Sequence, residues 1–309
     1  MPTVGIFPAS GALASSTYNH LVNRIPKDNI ILVSRYPEKL PDDVLDRRRA
    51  AYEDTPEELE AAFANIDVLF LVSYPSHVHE FRTEVQLPAI SAAHKAGVKH
   101  IFYSSLAFAL PENTTTKAEV MGAHLDSEEH LRSLSSMDPS FTWTSVREGL
   151  YHESYPIYTS FFDIRNPVEE ILIPHDGSPP GISWANRDEL GEATAILIAQ
   201  YVKDPSTYTH KNEVVKLTGP TEWSLADTVK TLSAAIGKPV RIRQISVDEY
   251  VALPQVLSYF GFEERARTWA TAWDAIRAGE AAYVSNTLEE LLGRKPEPFD
   301  VTIQKLVGL

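Results

Sequence analysis

The feature that most restricts what this chain can fold into is a series of apolar runs of strand length, separated by segments with helical spacing. The runs are TVGIF (3–7), IILVS (30–34), DVLFLVS (67–73), KHIFYSS (99–105) and FTWTSV (141–146). They are apolar almost throughout rather than at alternate positions, as suits strands buried on both faces in a parallel sheet covered by helices. The intervening segments carry helix punctuation. TPEELEAAFANI opens with Thr55, has Pro56 at the first helical position and Glu58 three residues after the threonine, which is a capping box. TEVQLPAISAAHKAGV runs to Gly97, a helix stop just before the next strand. This alternation predicts an α/β, Rossmann-like doubly wound parallel sheet.

The pattern loosens after about residue 150, where aromatic and turn-rich stretches lead into mostly helical sequence from Val247. The expected organisation is a Rossmann core over residues 1–150 and a smaller, mainly helical substrate lobe over 151–309, with segments around 182–220 returning to the core. A formal charge of −14 disfavours nucleic acid and anionic membranes as partners. The absence of cysteine removes disulfides, thiolate nucleophiles and cysteine-ligated metals. No apolar run reaches membrane-spanning length, and the expectation is a soluble, cytoplasmic protein with a small-molecule substrate. His77 and His79 resemble a metal pair but lack a third ligand at a convincing spacing, so no metal site is expected.

The first strand runs through PASGALA into a helix. A phosphate-binding loop of the GxxGxxG form uses its glycines for a tight turn, close approach of backbone to diphosphate, and helix–strand packing. Here Pro8, Gly11 and Ala14 occupy the three positions. Gly11 keeps the central one, Ala14 adds a methyl, and Pro8 fixes φ and offers no N–H. An ordinary αβ turn of small residues is the alternative. Arg35, just past the second apolar run, with Lys39 four residues on, occupies the place where an arginine accepts a 2′-phosphate, which favours NADP over NAD. A solvated cation at a strand end is the plainer account.

Taken together, SRYPEKL, EDTPEELEAAFANIDVLFLVS, AAHKAGVKHIFYSSLAFA, AHLDSEEHL, SVREGLY, SWANRDELGEATAILIA and WDAIRAGEAAYVSNTLEELLG resemble the NmrA-like branch of the atypical short-chain dehydrogenase/reductases, most of all its triphenylmethane and quinone reductase type. The resemblance spans nearly the whole chain. It implies NADP(H) held by a diphosphate loop of Pro8, Ala9, Ser10, Gly11, Ala12 and Leu13, with Arg35 at the 2′-phosphate. It further implies that Ser73, Tyr74 and Pro75 line the adenosine and ribose side, with Ser104, Ser105 and Leu106 near the nicotinamide. His124 matches the histidine of the family's HxxTE-like block, and Arg147 and Tyr151 match its RNxxY block. Three departures stand out: the glycine loop has lost two glycines, Glu148 replaces an uncharged amide, and Ala51 replaces an acid.

No Tyr-x-x-x-Lys pair lies at KHIFYSS, where Tyr103 is followed by Ser104, Ser105, Leu106 and Ala107, and Lys117 reads best as a surface residue. Hydride transfer needs an oriented nicotinamide and, where charge develops, a proton donor. The candidate acid/base set is His124, Glu148 and Tyr151. Each has a structural alternative: a satisfied helix histidine, an ion pair of Glu148 with Arg147, and a ring that merely walls the pocket. Tyr155, Tyr158, Phe162 and Trp184 suggest a pocket for a flat ligand, or equally the lobe's own core. The functions left open are an NADPH-dependent reductase of a small aromatic or polycyclic substrate, a non-redox isomerase or cyclase retaining NADP, and an NADP-binding sensor.

Overall fold

The computed structural model describes residues 1–110 and 112–308. Among the described residues nine strands are formed: β1 (Val4–Phe7), β2 (Ile30–Ser34), β3 (Asp46–Arg49), β4 (Val68–Val72), β5 (His100–Leu106), β6 (Thr142–Glu148), β7 (Glu170–Ile173), β8 (Glu213–Leu217) and β9 (Arg241–Gln244). Twelve helices accompany them among the described residues: α1 (Ala12–Leu21), α2 (Pro56–Ala62), α3 (His79–Lys95), α4 (Glu119–Met137), α5 (Tyr155–Tyr158), α6 (Arg187–Lys203), α7 (Leu225–Ile236), α8 (Val247–Val251), α9 (Pro254–Phe260), α10 (Glu263–Arg277), α11 (Thr287–Leu292) and α12 (Phe299–Val307). None of the described helices is long and apolar enough to cross a membrane.

Seven strands form one sheet in the order β3-β2-β1-β4-β5-β6-β8, with β1, β2, β3, β4 and β5 paired in parallel. The expected doubly wound sheet is present. The chain travels outward from β1 in one direction and from β4 in the other, which opens a crevice at the carboxyl ends of these two strands. All five predicted apolar runs are strands. β3 is an addition that apolar patterning could not reveal: its sequence is DRRR, and it lies at the sheet edge, where charged side chains discourage further pairing.

Local chemistry sets the helix ends as predicted. Thr55 and Glu58 form a reciprocal capping box with Pro56 inside the first turn of α2. Ser224 caps α7, which ends at Gly237 in the left-handed conformation. α6 begins at Arg187.

By internal contacts the chain divides into two units. The first comprises 1–105, 123–148 and 187–216; the second comprises 106–122, 149–186 and 217–309. In the first, Phe7, Val33, Leu69, Leu71, Ile101 and Tyr103 of the sheet pack with Ala89, Ile90 and Ala93 of α3 and with Phe63 and Trp143. Burial of each large side chain of this kind stabilises by about 1.5–3 kcal/mol. α1 lies against α6 at such close range that a Cβ on Gly191 would fall 2.2 Å from Ser16 Oγ. The Ser16 hydroxyl donates to Asp188 Oδ1 at 2.6 Å across the same seam. The second unit is largely helical, with β7 and β9 pairing in parallel as a small separate sheet.

Candidate active site

The phosphate loop is built from β1 and α1. The Phe7–Pro8 peptide is cis, and Ala9 N–H donates to the Val33 carbonyl at 2.8 Å, tying the loop to β2. Ser34 Oγ donates to Ser10 Oγ at 3.3 Å, a second tie to the same strand. Gly11 is the residue before α1, with φ 114° and ψ 159°. This is a region that only glycine enters freely. A Cβ there would meet nothing within 4 Å, so backbone conformation rather than crowding demands the glycine. No side chain caps α1, which leaves the N–H groups of its first turn facing out beside exposed Ser10, Gly11 and Ala12. Leu13 and Ala14 are buried behind them. An uncapped helix start of this kind is suited to an anion.

Arg35 follows β2, and its side chain is 45% exposed. Its Nη2 pairs with Glu53 Oε2, and the Tyr74 hydroxyl donates to Glu53 Oε1 at 2.8 Å. The hydrogen bond and charge of Glu53 raise Arg35 above its ordinary value. Partial burial pushes the Glu53 carboxyl up, but the hydrogen bonds from Arg35 and Tyr74 outweigh it and hold the group below the usual range. Lys39 is exposed, with its ammonium 4.6 Å from the centre of the Tyr36 ring. Ser73 and Tyr74 are half-buried and Pro75 exposed in the turn after β4.

Beneath that turn runs a buried polar network. Tyr74 N–H donates to Gln86 Oε1 at 2.7 Å, and Gln86 Nε2 donates to the Tyr103 hydroxyl (3.3 Å) and to Ser127 Oγ (3.1 Å). His124 stands 2.7 Å from Arg82 through Nε2 and 3.1 Å from the Tyr103 hydroxyl through Nδ1. A guanidinium can only donate, so Nε2 accepts and the ring proton resides on Nδ1, directed at Tyr103. Burial, reinforced by the nearby Arg82 and Arg147, holds His124 well below the ordinary histidine value. His124 is therefore a neutral, enclosed ring with both nitrogens engaged.

A second network joins β5, α4 and β6. Glu128 Oε1 accepts from Ser105 Oγ at 2.7 Å, from Ser145 Oγ at 2.8 Å and from Arg147 Nε at 2.9 Å. Its Oε2 accepts from Arg147 Nη2 at 2.6 Å. Neither side chain of the pair is more than 4% exposed. Arg147 thus pairs with Glu128 rather than with its sequence neighbour. Successive residues of a strand point to opposite faces, so Ser145 and Arg147 reach α4 together while Glu148 lies on the other face. Glu148 is itself buried. Ser104 is buried beside Ser105 at the end of β5, and Leu106 is half-buried.

His124 and Glu148 belong to the first unit, whereas Tyr151 belongs to the second, half-buried and paired in an isolated bridge with Ala185. In the second unit Tyr155, Tyr158, Phe162 and Trp184 are all buried. Tyr158 packs edge-on against Trp184 at 5.4 Å and lies 5.4 Å from Trp269; Trp184 stacks on Phe299 and donates through Nε1 to Thr228 Oγ1. Phe161, half-buried, meets Tyr259 at 4.7 Å, and Tyr259 is 55% exposed. Exposed Lys117 gives its backbone N–H to Glu280. His79, one of the two histidines of the metal-like pair, hydrogen-bonds Asp126 at 2.6 Å.

The NmrA-like family model matches residues 41–266. The chain belongs to the NmrA-like family. Among members with curated names it is 27% identical over 308 residues to an NmrA-like family domain-containing oxidoreductase, FlvB, of Aspergillus flavus, covering 97% of this chain and 93% of that protein. Among solved structures it is similar to the NADPH-dependent quinone oxidoreductase QOR2 of Escherichia coli in complex with NADPH, with TM-score 0.80 and 24% identity, covering 98% and 99% of the two chains. It is also similar to the triphenylmethane reductase of Citrobacter sp. in complex with NADP(H), with TM-score 0.75 and 24% identity over 98% and 99% of the chains.

Four residues in or beside this site were not picked out from the sequence: Glu53, Arg82, Gln86 and Glu128. Two lie inside motifs already singled out, Glu53 in EDTP and Glu128 in HLDSE. Their partners come from other elements, so the motif alone does not state what they do.

Proposed function

We propose that the chain is an NADPH-dependent reductase whose acceptor is a small aromatic or polycyclic molecule. The observation that carries this reading is the uncapped start of α1 at Gly11 beside Arg35 at the end of β2. An anion-binding helix end and a partly exposed guanidinium on adjacent parallel strands fit a diphosphate and a 2′-phosphate of one ligand. Pro8 offers no N–H and Ala9 N–H is already used, so the backbone donors for the diphosphate come from Ser10 onward. The NADPH-bound relatives support the same choice of cofactor.

Once bound, NADPH supplies a hydride, and the protein's part is orientation and proton supply. Ser104 and Ser105 stand at the carboxyl end of β5, where the nicotinamide would lie. Glu128 fixes Ser105 by accepting a hydrogen bond from its hydroxyl and ties it to Arg147. Tyr151 is the proton donor to an acceptor oxygen in this reading, and buried Glu148 lies three residues before it. The Nδ1–H of His124 holds Tyr103 and braces the floor under Tyr74, a positioning role. The buried rings Tyr155, Tyr158, Phe162 and Trp184 back the acceptor surface, to which Phe161 and Tyr259 add exposed aromatic area.

Calorimetric titration with NADPH and NADH, on the wild type and on Arg35→Ala, tests the cofactor. NADPH binding that weakens at least tenfold in the variant is expected; binding of neither nucleotide would refute the reading. A panel of quinones, azo dyes and triphenylmethane dyes, followed by loss of NADPH absorbance, tests the acceptor. Turnover of an acceptor without net NADPH oxidation would point instead to isomerase chemistry.

A further inference from the structure

The adenosine end of the proposed site contains both groups that distinguish the two nicotinamide cofactors, and they are bonded to each other. In Rossmann sites a carboxylate accepts the ribose 2′-hydroxyl of NAD, while an arginine receives the 2′-phosphate of NADP. Here Arg35 Nη2 is paired with Glu53 Oε2. The second carboxylate oxygen accepts from the Tyr74 hydroxyl at 2.8 Å.

Glu53 is not a loose surface acid. It follows β3, whose Arg49 pairs in register with Ser34, the residue before Arg35. Ala50 N–H donates to the Ser34 carbonyl at 3.1 Å, which keeps the chain leaving β3 alongside the chain leaving β2. Tyr52, buried, donates through its hydroxyl to the Val72 carbonyl at 2.7 Å. Tyr74 is held through its backbone by Gln86, and its ring meets Tyr52 and Phe81 edge-on at 5.6 and 5.3 Å. The carboxylate is therefore delivered to Arg35 by two built neighbours, and it is 36% exposed.

Resting on the reductase reading above, we propose that Glu53 is a specificity-determining residue that restrains the preference for NADPH and makes NADH a second usable cofactor. A 2′-phosphate approaching Arg35 must share the guanidinium with a carboxylate, or displace it. A 2′-hydroxyl meets a ready acceptor. Two like charges about 6 Å apart at an effective dielectric near 40 change binding by about tenfold. Glu53→Gln keeps the shape and removes the charge.

The experiment is calorimetric titration of wild type, Glu53→Gln and Arg35→Ala with NADPH and NADH. Adenosine 2′,5′-bisphosphate and ADP serve as fragments that report on the adenosine end alone. NADPH and the bisphosphate are expected to bind Glu53→Gln about tenfold more tightly than wild type, with NADH and ADP unchanged or a few-fold weaker. Arg35→Ala is expected to lose NADPH and bisphosphate affinity while retaining NADH. Wild-type NADPH binding with a NADPH-to-NADH ratio unaltered by Glu53→Gln would overturn this inference and leave the cofactor assignment standing. Weaker NADPH binding in Glu53→Gln would overturn it too, making Glu53 an orienting partner of Arg35. Binding of no nucleotide by wild type or variant would remove both readings together.

Discussion

Replacing Glu128 removes the only carboxylate hydrogen-bonded to buried Arg147 among the described contacts and strands two serine hydroxyls with it. Breaking a buried ion pair from one side costs about 3–5 kcal/mol, because the surviving charge stays desolvated. Each serine left without its acceptor adds about 1 kcal/mol. Glu128→Ala is thus expected to lose about 5 kcal/mol, a large share of the roughly 5–15 kcal/mol by which folded proteins exceed their unfolded state. Removing both charges with Glu128→Leu/Arg147→Met takes away the stranded guanidinium and should cost about 1–2 kcal/mol. The coupling between the two positions is then about 3 kcal/mol or more, read from a double-mutant cycle of urea unfolding curves at fixed pH. Glu128→Gln, which preserves shape, supplies a soluble single variant if the alanine form does not accumulate. A double variant no more stable than the single Glu128 variants, or a Glu128→Gln form within about 0.5 kcal/mol of wild type, would refute the argument that the pair is held by mutual neutralisation.

Further outcomes are expected at other positions. Burial depresses His152 from 6.5 to about 4 in the fold. The unfolded chain therefore binds a proton there before the folded one does, and stability falls as pH drops from about 6.5 to 4, by about 3 kcal/mol from this residue. Buried His100 and His124, both held well below 6.5, add losses in the same direction. Urea midpoints measured across that range should flatten in His152→Gln, and an unchanged slope would reject the assignment. Gly191→Ala puts a Cβ 2.2 Å from Ser16 Oγ and 3.0 Å from Thr17 N, so α1 and α6 must separate at a cost of about 1–3 kcal/mol. Ser16→Gly in the same chain should restore part of that loss, and a thermal melt of each form checks it. Gly11→Ala meets no neighbour, yet places a side chain at φ 114°, for about 1–2 kcal/mol. Unfolding and NADPH titration should both register it, whereas an unaltered NADPH affinity would separate this backbone from the cofactor.

Legibility from the sequence followed the physics of each element. β1, β2, β4, β5 and β6 are buried and therefore apolar, and helix ends such as Thr55–Glu58 and Gly237 announce themselves through local hydrogen bonding. DRRR was invisible as a strand because an edge position rewards charge over hydrophobicity. Pairing was the harder matter. Arg147 and Glu148 are neighbours on paper, but the pleat sends them to opposite faces, and the acid that meets Arg147 comes from α4. Gly11 was found at its expected place, while the seam between α1 and α6 takes its small residue from Gly191, far along the chain.

That seam bears on how the protein is made. Ser16 and Asp188 are hydrogen-bonded partners separated by 172 positions. At about 5–20 residues per second, a ribosome needs on the order of ten to thirty seconds to deliver the second after the first. During that interval α1 has no α6 to cover it, and the Rossmann sheet is complete only when β8 emerges. A nascent or truncated chain ending near residue 150 accordingly lacks both the helix that packs on α1 and the last strand of the sheet. The unit that begins at residue 1 is complete only at residue 216.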